Sequence, residues 1–464
     1  MINKNLAKKI IDKGLSTGAD FVELYLENTD SSSINYDTTM IEHIDNTHSK
    51  GCGIRICKGE RSVYGYTNEL KEKDLIKLTQ KLSSLFNSEI VCTSKEFTSL
   101  KVKKISHINK SFFLTPMENK ISIVKTVSEY LKSYSPLISR ATVSLRGTKT
   151  EIEIYNSNGL HAKDYKEYSL IVIGALATKD NIKESNSESR GHLGGLDFLD
   201  KLNLKEIANE CAKDAIGMLD AKPCPGGKMP VILGNGTGGV LFHEACGHSL
   251  EATALAREMT TFQNRLNDKI ASDIVTAYDD GTIPNAWGSN NIDDEGNKTQ
   301  RICLIKNGIL NSYLIDSFNG KKLKMPATGC ARRESYKYEP TSRMSNTYID
   351  NGKSSREEIF KNTKLGLYCK SFGGGSVNTA TGEFQFGCHI AYIVRDGQIQ
   401  EQVKGATLIG KCEDVLKNID MIANDLDLDV GVCGSVSGWV PVRTGQPTLR
   451  IKKILVGGSK GELK

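Results

Sequence analysis

The segment His243-Glu244-Ala245-Cys246-Gly247-His248 restricts this chain most, because its two histidines must converge if they bind one metal ion. In an HExxH segment, histidines at i and i+4 share a helix face and bind zinc, and the glutamate is the base. Here the spacing is i and i+5, so on an ideal helix the side chains diverge by about 140°. A π-bulge at Gly247 would bring them together. Two unrelated helical histidines beside a salt-bridging glutamate are the alternative.

Two histidines leave a catalytic zinc site one protein ligand short, because such sites usually have three. A Cys, His, Asp or Glu elsewhere could supply the third, and spacing alone does not identify it. Cys433 is the best candidate, because it lies between glycines that let the backbone turn its side chain inward. Cys330 and Cys388 fit less well, and we interpret most of the 12 cysteines as small buried apolar residues.

Two other segments contain residues that suit ligand contacts. The glycine-rich segment 234–239 lacks the lysine of a phosphate-binding loop, so we predict a turn that packs a helix tightly on a strand. The segment 332–347 contains arginines and tyrosines, whose forked and rigid side chains suit a loop that contacts a ligand. From it we select Arg333 and Tyr336 as candidates for substrate contacts. A solvated charged loop is the alternative.

The composition excludes several classes of protein. Of the 464 residues, 38% are hydrophobic and 25% are charged, which is typical of folded globular proteins. The net charge of +6 is too weak, over this length, to predict nucleic-acid binding. We expect no membrane span, because no apolar run reaches about 18 residues, and the N-terminus lacks a signal-peptide pattern. Scattered cysteines without a CxxC pair then indicate reduced thiols and a cytoplasmic location.

The densest cluster of prolines and glycines, at 222–227, divides the chain. We therefore predict an α+β protein with a mixed α/β N-terminal domain over 1–222 and a C-terminal domain over 223–464. The C-terminal domain is predicted to be β-rich and wrapped around the HExxxH helix, because short strand patterns and glycine turns dominate it. Periodicity predicts helices over 203–221, 240–256 and 410–426.

The chain resembles the TldD/PmbA family of metallopeptidases, and in particular its TldD-like catalytic branch. The PmbA-like branch lacks the HExxxH, so its presence implies an active subunit. The resemblance spans nearly the whole chain. In chain order, the segments that carry it are GADFVELYLE, GCGIRICKGERSVYGYT, GTGGVLFHEACGHSLEA, RRESYKYEPTSRMSNTYI, FGGGSVNTATGEFQFG, GATLIGKCEDVLKNIDMIAND and VCGSVSGWVPVRTGQPTLRI.

The resemblance implies a site for Zn²⁺ formed by His243, His248 and Cys433, with Glu244 as the general base. One departure follows the cysteine. Family members often carry a Lys-Asp-Gly-Gln-like stretch there, whereas this chain has Ser-Val-Ser-Gly-Trp at 435–439. The departure leaves the ligand intact and affects substrate preference or partner contacts.

We therefore expect a zinc-dependent peptidase that cleaves unfolded or flexible polypeptides, with a zinc-bound water as nucleophile and Glu244 as general base. The resemblance implies a two-subunit enclosure, either a homodimer or a heterodimer with a PmbA-like chain, whose cavity would exclude folded proteins. One alternative is a thiol hydrolase with Cys246 as nucleophile. The other is a metal-stabilised binding or scaffold protein without turnover.

Overall fold

The computed structural model describes residues 1–459, and its first half is built on one sheet of long strands. The elements of this half are α1 (Lys4–Leu15), β1 (Phe21–Asp37), β2 (Met40–Lys58), β3 (Arg61–Thr67), α2 (Glu72–Ser83), β4 (Thr98–Ser99), α3 (Met117–Tyr134), β5 (Ile138–Asn156), β6 (Leu160–Lys179), β7 (Ile182–Leu193), a 3-10 turn (Leu196–Lys201) and α4 (Leu204–Leu219). The strands pair in the order β3-β2-β1-β5-β6, and β6 also pairs with β4 and β7. The predicted helix over 203–221 corresponds to α4.

The two faces of this sheet have different roles, because side chains alternate along a strand. On β1, the even-numbered residues Leu24 and Ile34 are fully buried in the two apolar cores that the helices cover. The odd-numbered residues Glu23, Tyr25 and Glu27 are also buried, but they face the second half of the chain. The first half therefore presents a buried polar face to the part of the chain that contains the HExxxH.

The second half consists of β-rich layers around short helices. Its elements are β8 (Lys222–Pro223), β9 (Gly227–Leu233), 3-10 (Gly236–Gly239), α5 (Val240–Ala245), 3-10 (Gly247–Leu250), α6 (Ala252–Leu255), β10 (Ala277–Asp280), β11 (Arg301–Lys306), β12 (Ile309–Leu310), α7 (Ser317–Leu323), β13 (Ala331–Arg332), β14 (Thr341–Ser342), β15 (Asn346–Ile349), α8 (Arg356–Lys361), β16 (Leu365–Asn378), β17 (Glu383–Arg395), β18 (Gln398–Lys404), β19 (Thr407–Lys411), α9 (Cys412–Lys417), β20 (Ile419–Ile422), β21 (Asp427–Ser435), β22 (Gly438–Gln446) and β23 (Leu449–Gly457).

Two sheets organise these strands. One is open, with the order β12-β11-β10-β15-β22-β21. In the other, β16, β9, β23, β19 and β17 pair in sequence, and β17 pairs again with β16, so these five strands close into a ring. The largest apolar core combines residues of both sheets with α5, whose Phe242 is 1% exposed. The mixed α+β architecture that the sequence predicts is confirmed, while the domain boundary at residue 222 stays a prediction.

Two helix predictions are wrong in their extent. The segment 410–426 is helical only over Cys412–Lys417, because Ile419–Ile422 instead forms a strand that pairs with β23. The segment 240–256 is divided into α5, a 3-10 turn and α6. Within residues 1–459, no helix has both the length and the apolar character needed to cross a membrane.

A buried ion cluster joins the two halves. The Arg55 guanidinium on β2 lies 2.9 Å from Glu23 on β1 and 2.8 Å from Glu295 in the second half. Glu23 also accepts a hydrogen bond of 2.7 Å from Arg333. The four side chains are at most 2% exposed, so removing one charge would leave its partners unpaired in a medium that solvates charge poorly.

We predict that Arg55→Met lowers the free energy of unfolding by about 3–5 kcal/mol, because Glu23 and Glu295 lose their shared cation. Chemical unfolding followed by circular dichroism measures this loss. Arg140→Met is the matched control, because Arg140 pairs with Asp37 at the surface and its loss should hardly move the unfolding midpoint. Equal midpoints for the two variants would show that the cluster does not stabilise the protein.

Candidate metal centre

The approach to the HExxxH is a strand followed by a glycine turn. After β9, the segment 234–239 turns into α5, and a Cβ atom on Gly239 would lie 2.3 Å from the backbone nitrogen of Gly445. Only glycine permits this approach between α5 and β22. The prediction of a packing turn is therefore confirmed.

The HExxxH segment begins as an α-helix and does not continue as one. Helix α5 ends at Ala245, Cys246 has φ −117° and ψ −48°, and Gly247–Leu250 forms a 3-10 turn. The predicted π-bulge is wrong, because the chain tightens after the first histidine and does not widen. A Cβ atom at Gly247 would lie 2.1 Å from the Met344 sulfur, so the glycine is required by packing. The kink brings the His243 and His248 ring centroids to 5.2 Å.

Cys433 reaches the histidines from a β-hairpin. Strands β21 and β22 are joined by the two-residue turn 436–437, so the departure at 435–439 forms the hairpin tip. The Cys433 sulfur lies 3.2 Å from His243 Nε2 and 3.3 Å from His248 Nε2. The three donor atoms all lie within 4.8 Å of one another. The structure thus brings together the three residues selected from the sequence as metal ligands.

The electrostatics of this group favour a thiolate. Burial alone would raise the pKa of the Cys433 thiol, but the charges and hydrogen bonds of His243 and His248 outweigh it and lower the pKa to about 4. A thiolate, not a thiol, is the form that binds a metal. Burial alone would lower the pKa of His248, but Glu251 and the Cys433 sulfur outweigh it and raise that pKa well above the usual value. A metal ion that binds to this group would therefore displace the His248 proton.

Glu251 orients the second histidine, and sequence reasoning missed it. His248 Nδ1 lies 3.3 Å from Glu251 Oε2, which directs Nε2 toward Cys433. A carboxylate on the outer nitrogen of a metal-binding histidine fixes both its tautomer and its ring orientation. The sequence signal was the glutamate three residues after His248, a spacing that brings side chains together on one turn.

Arg343 is a second residue without a predicted role. It is fully buried, and its Nη1 donates hydrogen bonds of 2.9 Å to Ser437 Oγ and to the Gly438 carbonyl. Its Nη2 donates to the Cys433 carbonyl, and its Nε lies 4.0 Å from Glu251 Oε1. One guanidinium therefore connects the hairpin tip, the Cys433 backbone and the carboxylate that orients His248.

Glu244 lies beside the three-donor group. Its Oε2 is 3.6 Å from His248 Nε2, and its side chain is 29% exposed, whereas His243 and Cys433 are almost fully buried. The carboxylate is thus on the more open side of the group, where a water or a ligand can reach it. Cys246 points elsewhere: it is fully buried, and its thiol interacts with Cys412.

Arg333 and Tyr336 lie in the wall between the halves, not in a solvated loop. Arg333 pairs with Glu23 and stacks over the Tyr25 ring at 4.0 Å. The Tyr336 amide donates to Glu27 Oε2 at 3.0 Å, and its ring is 4% exposed. Both residues line a cleft, but their side chains are largely engaged within the protein. Their contact with a substrate stays a prediction.

This cleft has a volume of about 490 Å³ and lies between the halves. Tyr25 and Glu27 of β1 line one side, and the segment 332–338 lines the other. Val440 also lines it and is the cross-strand partner of Cys433, so the cleft adjoins the hairpin that carries the cysteine. Burial raises the pKa of Glu27 to about 7, and nearby hydrogen bonds from Thr29 and the Tyr336 amide only partly oppose this.

Comparison with known proteins assigns the fold and the class. Three models of the PmbA/TldA metallopeptidases match this chain: domain 1 at residues 22–85, the central domain at 112–219 and the C-terminal domain at 226–458. The chain is 34% identical to a metalloprotease TldD homolog of Haemophilus influenzae, over 95% of this chain and 93% of that protein. It is 26% identical to a zinc metalloprotease TldD homolog of Saccharolobus solfataricus, over 97% of this chain and 99% of that protein.

Solved structures share the fold at lower identity. TldE from Thermococcus kodakarensis superimposes with a TM-score of 0.78 at 16% identity, covering 98% of this chain and 100% of that one. A Thermotoga maritima protein gives a TM-score of 0.81 at 19% identity with the same coverage. The fold and the relatives define a metallopeptidase-type chain. It belongs to the TldD/PmbA family.

We predict that Glu251→Gln weakens binding of zinc by about 10–100-fold, because His248 loses the carboxylate that orients it. Competition with a fluorescent chelator measures the affinity. Glu258→Gln is the control, since Glu258 is exposed on the same segment and should bind zinc as the wild type does. Unchanged affinity for zinc in Glu251→Gln would contradict the proposal that Glu251 orients His248.

The two cysteines nearest the histidines should behave differently. Cys433→Ser removes a thiolate from the group and should sharply reduce the zinc content after purification. Cys246→Ser should retain zinc, because its thiol is directed at Cys412. Elemental analysis of both variants checks this expectation. Loss of zinc from Cys246→Ser alone would contradict the donor set.

Proposed function

We propose that this chain is a zinc-dependent peptidase. The observation that carries the proposal is the group of two imidazole nitrogens and one thiolate sulfur within 4.8 Å, with the Glu244 carboxylate beside it. Three protein ligands with an adjacent glutamate are typical of catalytic zinc sites that keep one position open. Membership of a metallopeptidase family supports the same function.

The residues present fit a zinc ion. Imidazole and thiolate are ligands that zinc favours, whereas magnesium and calcium prefer oxygen. His243, His248 and Cys433 would hold the ion. His243 Nε2 faces the Cys433 sulfur at 3.2 Å, so Nε2 is the nitrogen directed into the donor group. The Cys433 thiolate would supply negative charge to a divalent cation, and the His248 proton would leave as the ion binds.

The chain's own residues then perform the proton transfers. When bound, zinc supplies a Lewis acid that activates water and polarises a peptide carbonyl. Glu244 accepts the proton of the attacking water at a carboxylate oxygen and delivers it to the leaving amine. Glu251 keeps His248 oriented, and Arg343 holds the hairpin so that Cys433 stays in reach. Trp287 steadies the same hairpin by donating to the Gly431 carbonyl at 3.0 Å.

The proposed substrate is an unfolded or flexible polypeptide. The cleft beside the Cys433 hairpin is narrow, and Ser49 of β2 lines it. Residues 40–51 of β2 pair with β1 along one edge, and no other strand of residues 1–459 pairs with the opposite edge. An extended peptide can add to such an edge through main-chain hydrogen bonds. These bonds require an unfolded segment of substrate but depend little on its sequence. Arg333 and Tyr336 are proposed to contact it from the opposite wall.

The proposed assembly has two subunits, either two copies of this chain or this chain with a PmbA-like partner. Family membership and the likeness to a TldE structure support it. The hairpin tip exposes Val432, Val436 and Trp439 by 57%, 62% and 63%, an apolar surface that a second subunit would cover. We also propose a cytoplasmic location, from the composition and cysteine usage, and no nucleic-acid partner.

The alternatives lack comparable support. A scaffold site would have a fourth protein ligand, but the donor group within residues 1–459 has three. A thiol hydrolase would need an accessible Cys246, and that sulfur is fully buried. Both alternatives differ from the proposal in what Glu244 does.

We predict that Glu244→Gln retains zinc and loses about 10²–10⁴-fold in the rate of peptide cleavage, because the general base is removed while the donors remain. Digestion of a reduced, unfolded protein followed by mass spectrometry measures the rate, and elemental analysis measures the zinc.

Cys246→Ser is the control and should cleave normally. A scaffold would show no cleavage in any variant, and a thiol hydrolase would lose activity in Cys246→Ser. Full activity of Glu244→Gln with zinc bound would contradict the proposed mechanism.

A further inference from the structure

One buried arginine of the cleft has no ionic partner. Four arginines within residues 1–459 are less than 9% exposed, and Arg55, Arg333 and Arg343 each lie within 4.0 Å of a carboxylate. The fourth, Arg332, is 3% exposed and lies within 4.0 Å of no carboxylate in that part of the chain. Its one hydrogen bond there runs from Nη1 to the Met344 carbonyl at 2.8 Å.

The same cleft contains a hydroxyl group without a hydrogen-bond partner in residues 1–459. Tyr168 lines the cleft together with Arg332, and its hydroxyl forms no hydrogen bond with any residue of 1–459. Its ring packs edge-on against Trp287, with centroids 5.2 Å apart, and the Trp287 indole is fixed by the Gly431 carbonyl. The hydroxyl is thus held in place by a rigid wall. Burial lowers the pKa of Arg332, and the nearby Tyr168 and Asp294 oppose this.

We propose that Arg332 and Tyr168 form a subsite for a carboxylate of the peptide substrate. The ligand is either the C-terminal carboxylate or an Asp or Glu side chain. A guanidinium binds a carboxylate through two parallel hydrogen bonds, and the tyrosine hydroxyl adds a third donor. A buried, unpaired cation is unfavourable, so an anionic ligand is the group that this position accommodates best. This inference rests on the proposed peptidase function.

The charges of the cleft favour a carboxylate over a more highly charged anion. Lys166 also lines the cleft, but its ammonium lies 3.3 Å from Asp294 and is already neutralised. Glu27 and Glu334 add further carboxylates to the lining. Arg332 is therefore the buried cation of this lining that lacks a carboxylate partner within residues 1–459, whereas Lys337, which also lines the cleft, is exposed to solvent.

Contacts through Met344 connect the subsite to the candidate metal centre. Asp279 accepts a hydrogen bond of 2.8 Å from the amide of Ser345, which follows Met344 in the chain. Arg332 also bonds to the carbonyl of Met344, whose sulfur packs against Gly247 of the HExxxH segment. Arg332 and the HExxxH segment therefore contact the same residue, Met344.

The test measures peptide binding in the zinc-loaded Glu244→Gln background, so that cleavage does not interfere. Fluorescence anisotropy compares four versions of one labelled peptide: free C-terminus or C-terminal amide, each with its acidic side chains present or replaced by Asn and Gln. We expect loss of the recognised carboxylate to weaken binding roughly 10–100-fold. An effect of the amide identifies the C-terminus, and an effect of Asn or Gln identifies a side chain.

Variants then assign the effect to the subsite. Adding Arg332→Gln should weaken binding of the preferred peptide and abolish the difference between the acid and its neutral form. Adding Tyr168→Phe should reduce the affinity difference between the acid and its neutral form severalfold. This second variant tests the subsite even if Arg332→Gln does not fold. Arg140→Gln, at a distant surface position, should leave this affinity difference unchanged.

Two outcomes overturn the proposal: equal binding of all four peptides, or a carboxylate preference that persists in folded Arg332→Gln. These outcomes differ from failure of the peptidase function. Without that function, wild-type protein would cleave none of the peptides, whatever their binding order. Cleavage with no carboxylate preference in binding would reject the subsite alone.

Discussion

The buried guanidinium of Arg343 connects the two pieces of chain that form the candidate metal centre. The histidines lie on a broken helix, and Cys433 lies on a hairpin 185 residues away from His248 along the chain. Arg343 bonds the hairpin tip and the Cys433 carbonyl, and it lies beside the glutamate that orients His248. Its charge also lies 4.0 Å from the Glu251 carboxylate. The candidate centre therefore depends on a residue outside its own donor set.

The three residues whose donor atoms converge are those that the sequence analysis had selected as candidate metal ligands. The two histidines around a glutamate were selected from the sequence alone, whereas glycines flank Cys52 as well as Cys433, and the family resemblance pointed to Cys433. The structure brings their donor atoms together, and the α+β architecture agrees with the predicted patterns. Local sequence was sufficient for the histidines, because their spacing acts within a few residues, but Cys433 reaches them from 185 residues away from His248.

The features that the sequence did not predict depend on contacts between distant segments. A π-bulge was a reasonable local solution for the i, i+5 spacing, but Met344 packs against Gly247 and the chain adopts a tight turn instead. Helical periodicity over 410–426 gave way to strand pairing with β23. Arg332 and Arg333 are adjacent in sequence and similar in composition, yet only Arg333 meets Glu23. Periodicity cannot distinguish such neighbours, because the distinction is made by strands far away in the chain.

The two-residue turn of the Cys433 hairpin has a consequence for folding. Side chains alternate across a strand, so a slip of one residue between β21 and β22 would turn Cys433 away from the histidines and present an aliphatic neighbour in its place. A metal ion would then be bound with three protein donors in one register and with two in the other. The binding free energy of the proposed zinc ion would add to the stability of the correct pairing, so the ion would also favour the correct strand register.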